Sequence, residues 1–114
     1  MIKLEYIKGA PITYSVSKAA LNAFVRSYSK FLGSKGVRLN AIAPGNILFK
    51  GSTWEKKLKK NRKKTTKFIY DEVPLKRLGS AEGIANLVNY LIEDESKFIN
   101  GSILVADGGQ LKSF

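Results

Sequence analysis

Length, composition and charge restrict this chain to a few classes of protein. It has 114 residues, 44% of them hydrophobic, which predicts one small domain with a packed core. It contains no cysteine and no histidine, which excludes disulfides, thiolate chemistry and histidine-based catalysis. No apolar run is long enough to span a membrane. The segment after Met1 is too short and too charged for a signal peptide, so we expect a cytoplasmic protein.

The net charge of +11 is unevenly distributed along the chain. Residues 1–54 sum to +7, residues 55–67 to another +7, and residues 68–114 to −3. The short middle segment therefore has the highest charge density and needs a local explanation.

The first half of the chain predicts a loop, a helix and a strand. Gly9 and Pro11 indicate the loop. Apolar residues at spacings of three and four predict a helix over 13–32, and a β-branched and apolar run predicts a strand over 37–43. The dipeptide Pro44-Gly45 ends that strand.

The second half predicts a basic segment, a helix and a strand. Thr53 can cap a helix, but residues 55–64 have little to bury, which favours an exposed, mobile or partly ordered segment. Ser80 is a good N-cap for a helix over 80–92, and a strand over 102–106 follows. That helix carries an apolar stripe formed by Ile84, Leu87, Val88, Leu91 and Ile92.

Strands separated by helices predict an α/β arrangement. We expect the two strands to be parallel neighbours in one sheet, with the helix over 80–92 packed on it. Parallel sheets normally have both faces covered by helices, so two strands predict one side of a larger α/β domain.

Tyr14 and Lys18 are the residues best suited to chemistry. Four residues apart on a helix, they share one face. Tyrosine has a pKa near 10, and a neighbouring cation favours the phenolate, which can exchange a proton with an alcohol or carbonyl oxygen. A lysine can also donate hydrogen bonds to a sugar hydroxyl. The spacing alone is more often that of a partly buried tyrosine beside a solvated lysine.

Four segments occur together in an order that is informative. They are Tyr14-Ser-Val-Ser-Lys-Ala-Ala-Leu, Val37-Arg-Leu-Asn-Ala-Ile-Ala-Pro-Gly45, Val73-Pro-Leu-Lys-Arg-Leu-Gly-Ser-Ala-Glu82 and Gly101-Ser-Ile-Leu-Val-Ala-Asp-Gly-Gly109. In sequence and order they resemble the active-site helix and the segments that follow it in the short-chain dehydrogenase/reductase family. The resemblance implies the C-terminal portion of a Rossmann-like three-layer α/β fold, with residues 1–114 belonging to a single domain.

The resemblance also implies residue roles and a reaction. Tyr14 matches the catalytic acid/base, and Lys18 matches the lysine that favours the tyrosinate and holds the nicotinamide ribose. Pro44, Gly45 and Ile47 match the cofactor-binding turn beside the nicotinamide. The implied activity is hydride transfer between NAD or NADP and a small alcohol or carbonyl substrate, with no metal. The family's helix corresponding to residues 14–32 packs between subunits, which implies a homo-oligomer or self-association.

Several features of the family pattern are missing from these residues. The Gly-rich phosphate loop is absent, Phe49 stands where many members have a threonine, and the family's serine would lie at or before Met1. We therefore expect this chain alone to be an inactive fragment. The alternatives are a non-catalytic interaction module and, for the basic run, an anion- or nucleic-acid-binding fragment. We interpret that run as a solvated lid in the position of the family's substrate loop.

Overall fold

The protein alternates helices with short strands in a computed structural model that describes residues 11–111. The loop predicted over residues 1–11 lies outside this range, apart from Pro11. In chain order the elements are α1 (Ile12–Gly33), β1 (Ala41–Pro44), β2 (Ile47–Leu48), α2 (Thr53–Lys60), α3 (Arg62–Glu72), β3 (Gly79–Ser80), α4 (Ala81–Ile92), a 3-10 helix (Asp94–Ser96) and β4 (Ile103–Ala106).

Strands β1 and β4 form a parallel pair. Their register runs from Ala41 opposite Ile103 to Pro44 opposite Ala106. Just beyond the last pair, the Gly45 N–H donates to the Ala106 carbonyl at 3.0 Å. The predicted pairing of neighbouring parallel strands is therefore confirmed.

The first strand is shorter than the predicted range of 37–43. Ahead of Ala41, asparagine side chains supply part of the hydrogen bonding between the two segments, beside a backbone bond from the Gly101 N–H to the Leu39 carbonyl at 2.9 Å. The Leu39 N–H donates to Asn100 Oδ1 at 2.9 Å, and the Ser102 N–H donates to Asn40 Oδ1 at 3.0 Å. The two segments already run side by side here, but regular strand pairing begins only at Ala41.

A second parallel pair, β2 with β3, was not predicted. Ile47 lies opposite Gly79, and Leu48 lies opposite Ser80. A Cβ at Gly79 would stand 2.6 Å from Ile47 Cδ1, so a larger residue would force that side chain to move. Between β2 and β3 the chain runs through residues 49–78, which we call the arm, and then comes back to pair beside β2.

The arm is helical, which corrects the prediction of a mobile or partly ordered segment. Ser52, rather than Thr53, caps α2 by accepting from the Glu55 N–H, and Asn61 separates the helices while capping α3. The Trp54 and Phe68 rings stack with centroids 5.7 Å apart, and this contact joins the helices. Between residues 55 and 67 the side chains are mostly exposed, as predicted, but Thr65 is buried.

Helix α4 begins as predicted and ends against a cation. Ser80 Oγ accepts from the Gly83 N–H at 3.0 Å, which confirms the N-cap. At the other end, the Arg38 guanidinium donates to the Leu91 carbonyl at 2.6 Å, where a positive charge complements the helix C-terminus. No α4 residue is buried, so its apolar stripe is only partly covered.

Much of α1 is likewise uncovered. Val25 and Ser29 are its buried residues, and Asn100 Nδ2 donates to the Ser29 carbonyl at 3.0 Å. The radius of gyration is 16.1 Å, above the roughly 13 Å expected for a compact chain of this size. The described residues therefore form one side of an α/β domain, with apolar helix faces open.

The start of α2 provides a pH-dependent contribution to stability. A hydrogen bond from the Gly51 N–H (2.8 Å) and the ion pair with Lys59 (3.1 Å) lower the pKa of Glu55. Because the pKa of Glu55 is lowered in the folded state, its ionised carboxylate stabilises the fold at pH values above the ordinary pKa of 4.5. This stabilisation is lost as the pH falls through the folded-state pKa. We expect Glu55→Gln to lower the melting temperature at neutral pH but not at the acid end. Thermal unfolding over a pH series tests this, and parallel curves for the two proteins would contradict it.

Candidate active site

Tyr14 and Lys18 lie together at the beginning of α1. Lys18 Nζ is 5.6 Å from the centroid of the Tyr14 ring. The first turn is anchored by the Tyr14 N–H, which donates to the Pro11 carbonyl at 3.0 Å. Tyr14 is 48% exposed, which excludes a sealed apolar core around its side chain. The structure thus places a phenol and an ammonium on one accessible helix face, one turn apart.

Pro44 and Gly45 lie at the carboxyl end of the β1–β4 pair. A Cβ on Gly45 would stand 2.6 Å from Asp107 Cα, so the approach of the two strand ends requires glycine here. Open α/β sheets bind ligands beyond the carboxyl ends of their strands. The predicted opening of Tyr14 and Lys18 toward this turn stays a prediction.

Ile47 borders a small cavity next to the same edge. The cavity measures about 220 Å³, and its walls include Asn46, Ile47, Gly79, Ile84, Asp107 and Gly108. Small-molecule sites typically measure about 300–1,000 Å³. This cavity therefore accommodates only part of a ligand.

Asp107 and Asn46 are site-lining residues that the sequence analysis did not single out. Asp107 accepts from the Gly109 and Leu111 N–H groups, both at 2.8 Å. Asn46 Nδ2 donates to Gln110 Oε1 at 2.7 Å. Both side chains shape the turn after β4. An aspartate followed by two glycines is a turn signal that could have identified Asp107.

The described residues fit only one end of a dinucleotide. Lys18 offers donors for ribose hydroxyls, and Pro44, Gly45 and Ile47 line the sheet edge. Pyrophosphate binding uses free amides at a helix N-terminus. In α2, α3 and α4 the side chains of Ser52, Asn61 and Ser80 already accept from such amides, whereas α1 has no side-chain cap.

Two further classes of feature are missing from residues 11–111. No group of acidic side chains there is arranged to hold a metal ion. Within the same range, no helix is long and apolar enough to cross a membrane.

Comparison with known proteins identifies the class to which this architecture belongs. A family model described as enoyl-(acyl carrier protein) reductase matches residues 2–110. The chain belongs to the short-chain dehydrogenase/reductase family, as its motifs predicted.

Particular relatives support this assignment. Isoepoxydon dehydrogenase from Penicillium expansum is 38% identical over 108 residues, which cover 92% of this chain and 40% of the relative. L-sorbose reductase from Gluconobacter frateurii, solved with NADPH and L-sorbose, matches with a TM-score of 0.81 and 29% identity over 93% of this chain and 43% of its own.

A third relative was solved with the other nicotinamide cofactor. The structure of 4-hydroxyisoleucine dehydrogenase complexed with NADH matches with a TM-score of 0.78 and 30% identity over 90% of this chain and 41% of its own. These likenesses confirm a Rossmann-like α/β architecture of which this chain holds part. The chain spans 40% of the length of curated relatives that it matches.

Proposed function

We propose that this chain is the C-terminal part of an NAD(P)-dependent oxidoreductase domain that transfers hydride between a nicotinamide and an alcohol or carbonyl carbon. The observation that carries the proposal is the exposed Tyr14–Lys18 pair, with its Nζ-to-ring distance of 5.6 Å. The family membership adds the reaction type. The part that binds the cofactor's phosphates is expected to lie outside these residues.

NAD and NADP are both compatible with the residues present. Relatives were solved with NADH and with NADPH, and the residues described here do not include one that distinguishes the two. When bound, the cofactor supplies or accepts the hydride. Lys18 would hold the ribose hydroxyls, and Pro44, Gly45 and Ile47 would border the nicotinamide.

The chemistry left to the chain is a proton transfer at Tyr14 Oη. During reduction of a carbonyl, this hydroxyl donates its proton to the substrate oxygen, and during oxidation of an alcohol it accepts one. Lys18 places a positive charge beside this side chain, with its Nζ 5.6 Å from the centroid of the Tyr14 ring. The exposure of Tyr14 gives a small substrate access to the side chain.

This proposal predicts inactivity of the chain alone and activity after reconstitution. Residues 1–114 alone should bind NADH and NADPH weakly and turn over no alcohol or ketone, because they lack the family's Gly-rich phosphate loop. Joined behind the N-terminal part of L-sorbose reductase that precedes its match, they should consume NADPH or NADH with a panel of ketones. We call this fusion the reconstituted enzyme. Micromolar cofactor binding by the chain alone, or a folded fusion that binds cofactor without turnover, would contradict the proposal.

A second candidate function is that of an interaction module. Helix α1 exposes four apolar or aromatic side chains at spacings of three and four, namely Leu21, Phe24, Tyr28 and Phe31. The Tyr28 ring stacks on Phe24 and on Phe31, with centroid distances of 5.1 and 5.5 Å. Exposed apolar surface of this kind favours association. Self-association by a folded fusion that lacks turnover would favour this candidate. Homo-oligomerisation and a cytoplasmic location stay predictions.

A further inference from the structure

The arm carries an excess of positive charge that solvation alone does not explain. Residues 55–67 contain eight lysines and arginines and a single acid, Glu55. A solvated surface normally intersperses charges of both signs, whereas a large field of one sign attracts a partner of the opposite sign. Each of the eight cationic side chains is exposed. The arm therefore presents its charge to the outside of the molecule.

The helical phase of α2 separates its cations from its packing residues. The half-buried Trp54 and Leu58 are four residues apart and share one face. Lys56 and Lys60 each lie two residues further on, which turns them by about 200° around the helix. The outward face of α2 therefore carries cations and neither of the large apolar side chains of that helix.

Helix α3 repeats this arrangement and is fixed against α2. Its buried residues are Thr65 and Ile69. Lys63 and Lys67 precede them by two residues, again about 200° around the helix. Thr65 Oγ1 donates to the Lys57 carbonyl at 3.1 Å, and with the ring contact between the helices this bond holds the cations in one ordered array. Such an array loses less conformational entropy on binding than a flexible basic loop would.

Most of the charge is not neutralised by ion pairs within the arm. Lys59 pairs with Glu55 at 3.1 Å, and Lys67 pairs with Asp71 at 2.6 Å. Eight cations less these two leave six outside both pairs. Exposed pairs of this kind are also weak and compete poorly with a stronger anion. An external polyanion is therefore the complement of this surface.

We infer that the arm binds double-stranded DNA through its phosphates, without reading the base sequence. Duplex DNA carries one negative charge per about 1.7 Å of its axis, so lysines along a helix face several phosphates at once. The major groove of B-form DNA admits an α-helix, whereas that of duplex RNA is too narrow. Contacts to phosphates position a protein on DNA but carry no sequence information. The inference goes beyond the proposed function and does not involve Tyr14.

Other polyanions fit this surface less well. An anionic membrane normally takes up apolar side chains next to the cations, and those of α2 face the other way. Single-stranded nucleic acid stacks its bases on open aromatic rings. The Trp54 ring, however, is stacked on Phe68 and has Lys57 Nζ 4.4 Å from its centroid. An acidic protein presents its charges at a lower density than the phosphates of a duplex.

Fluorescence anisotropy of a labelled duplex of about 20 base pairs, titrated with residues 1–114 at several NaCl concentrations, tests this inference. We expect the logarithm of the association constant to fall linearly with that of the salt concentration. Its slope should be about −4 or steeper, because each phosphate contact contributes about −0.9. Lys56→Gln/Lys60→Gln/Lys63→Gln/Lys64→Gln should flatten the slope by about 3 and weaken binding about 100-fold or more at about 50 mM NaCl. Lys→Arg substitutions at these four positions keep the charge and should leave the affinity within about threefold.

The matched control removes four exposed cations outside the arm, as Arg26→Gln/Lys30→Gln/Lys35→Gln/Lys97→Gln. It lowers the net charge by the same amount. It should weaken binding by less than about fivefold and change the slope by less than about 1, through long-range electrostatics alone. Far-UV circular dichroism and the emission of Trp54, the single tryptophan, verify that each variant keeps the arm folded.

Several results would overturn this inference. The first is a salt slope of the unmodified chain no steeper than about −1. Equal weakening by the two sets of Gln substitutions, or loss of binding in a folded Lys→Arg variant, would also do so. Tighter binding of polyglutamate, or of phosphatidylcholine vesicles with about one-third phosphatidylserine, would assign the surface to an acidic protein or to a membrane instead.

Discussion

Tyr14→Phe is expected to lower kcat of the reconstituted enzyme by about 10²- to 10⁴-fold, the usual contribution of a positioned general acid or base. The substitution removes one oxygen atom and leaves the ring that Lys18 faces at 5.6 Å. Because the Tyr14 side chain is half exposed, losing its hydroxyl should leave the fold intact. Steady-state consumption of NADPH or NADH with a saturating ketone measures the loss.

The matched control for this variant is Tyr90→Phe. Tyr90 lies on α4 with 46% exposure, close to the 48% of Tyr14. It should retain full turnover, because nothing places it at the sheet edge. If Tyr90→Phe lowers kcat as much as Tyr14→Phe does, or if Tyr14→Phe leaves kcat unchanged, Tyr14 does not take part in the reaction.

Gly45→Ala is expected to destabilise the fold by about 3 kcal/mol, at the upper end of the usual cost of overpacking. The new Cβ would stand 2.6 Å from both Asp107 Cα and Asp107 Cβ. A backbone atom cannot swing aside as a flexible side chain can, so the ends of β1 and β4 must separate. That movement would also weaken the hydrogen bond from Gly45 to the Ala106 carbonyl. Urea unfolding of the reconstituted enzyme gives the free energy of unfolding.

Gly36→Ala is the control for the glycine itself. Gly36 has a φ of +77°, and a Cβ built there would have no atom within 4 Å. Alanine at this position meets conformational strain but no collision, and should cost about 1 kcal/mol. If Gly45→Ala and Gly36→Ala lower the free energy of unfolding by the same amount, the approach of Asp107 to Gly45 does not constrain the fold.

Local signals predicted the features that depend on local interactions. Ser80 could be identified as a cap because capping involves residues within one helical turn. The pairing of β1 with β4 followed from element order, since a crossover between neighbouring strands favours parallel pairing. The shared face of Tyr14 and Lys18 followed from their spacing.

Features that depend on distant contacts were missed or misjudged. Strand β2 has two residues and no periodicity, and it pairs with Gly79 only after the arm returns. Helix α3 was not predicted because Phe68 packs on Trp54, which belongs to α2, and a contact between two helices is not visible in the sequence pattern of either one. The predicted strand began too early, at residue 37, because β-propensity does not show that asparagine side chains take over part of the pairing ahead of Ala41.

The candidate site was predictable to a similar extent. Motifs predicted Tyr14, Lys18, Pro44, Gly45 and Ile47 as site residues, and their roles stay predictions. Asp107 and Asn46 were not predicted, because their relation to that edge exists only once β4 lies beside β1.

The central claim is that Tyr14 and Lys18 act as one proton-handling pair, and a double-mutant cycle in the reconstituted enzyme tests it most directly. The cycle compares kcat for Tyr14→Phe, Lys18→Met and the double variant. Residues that act as a unit show strongly non-additive losses. We predict that the double variant loses little more activity than the more damaging single variant. Losses that multiply, as for two independent residues, would contradict the account.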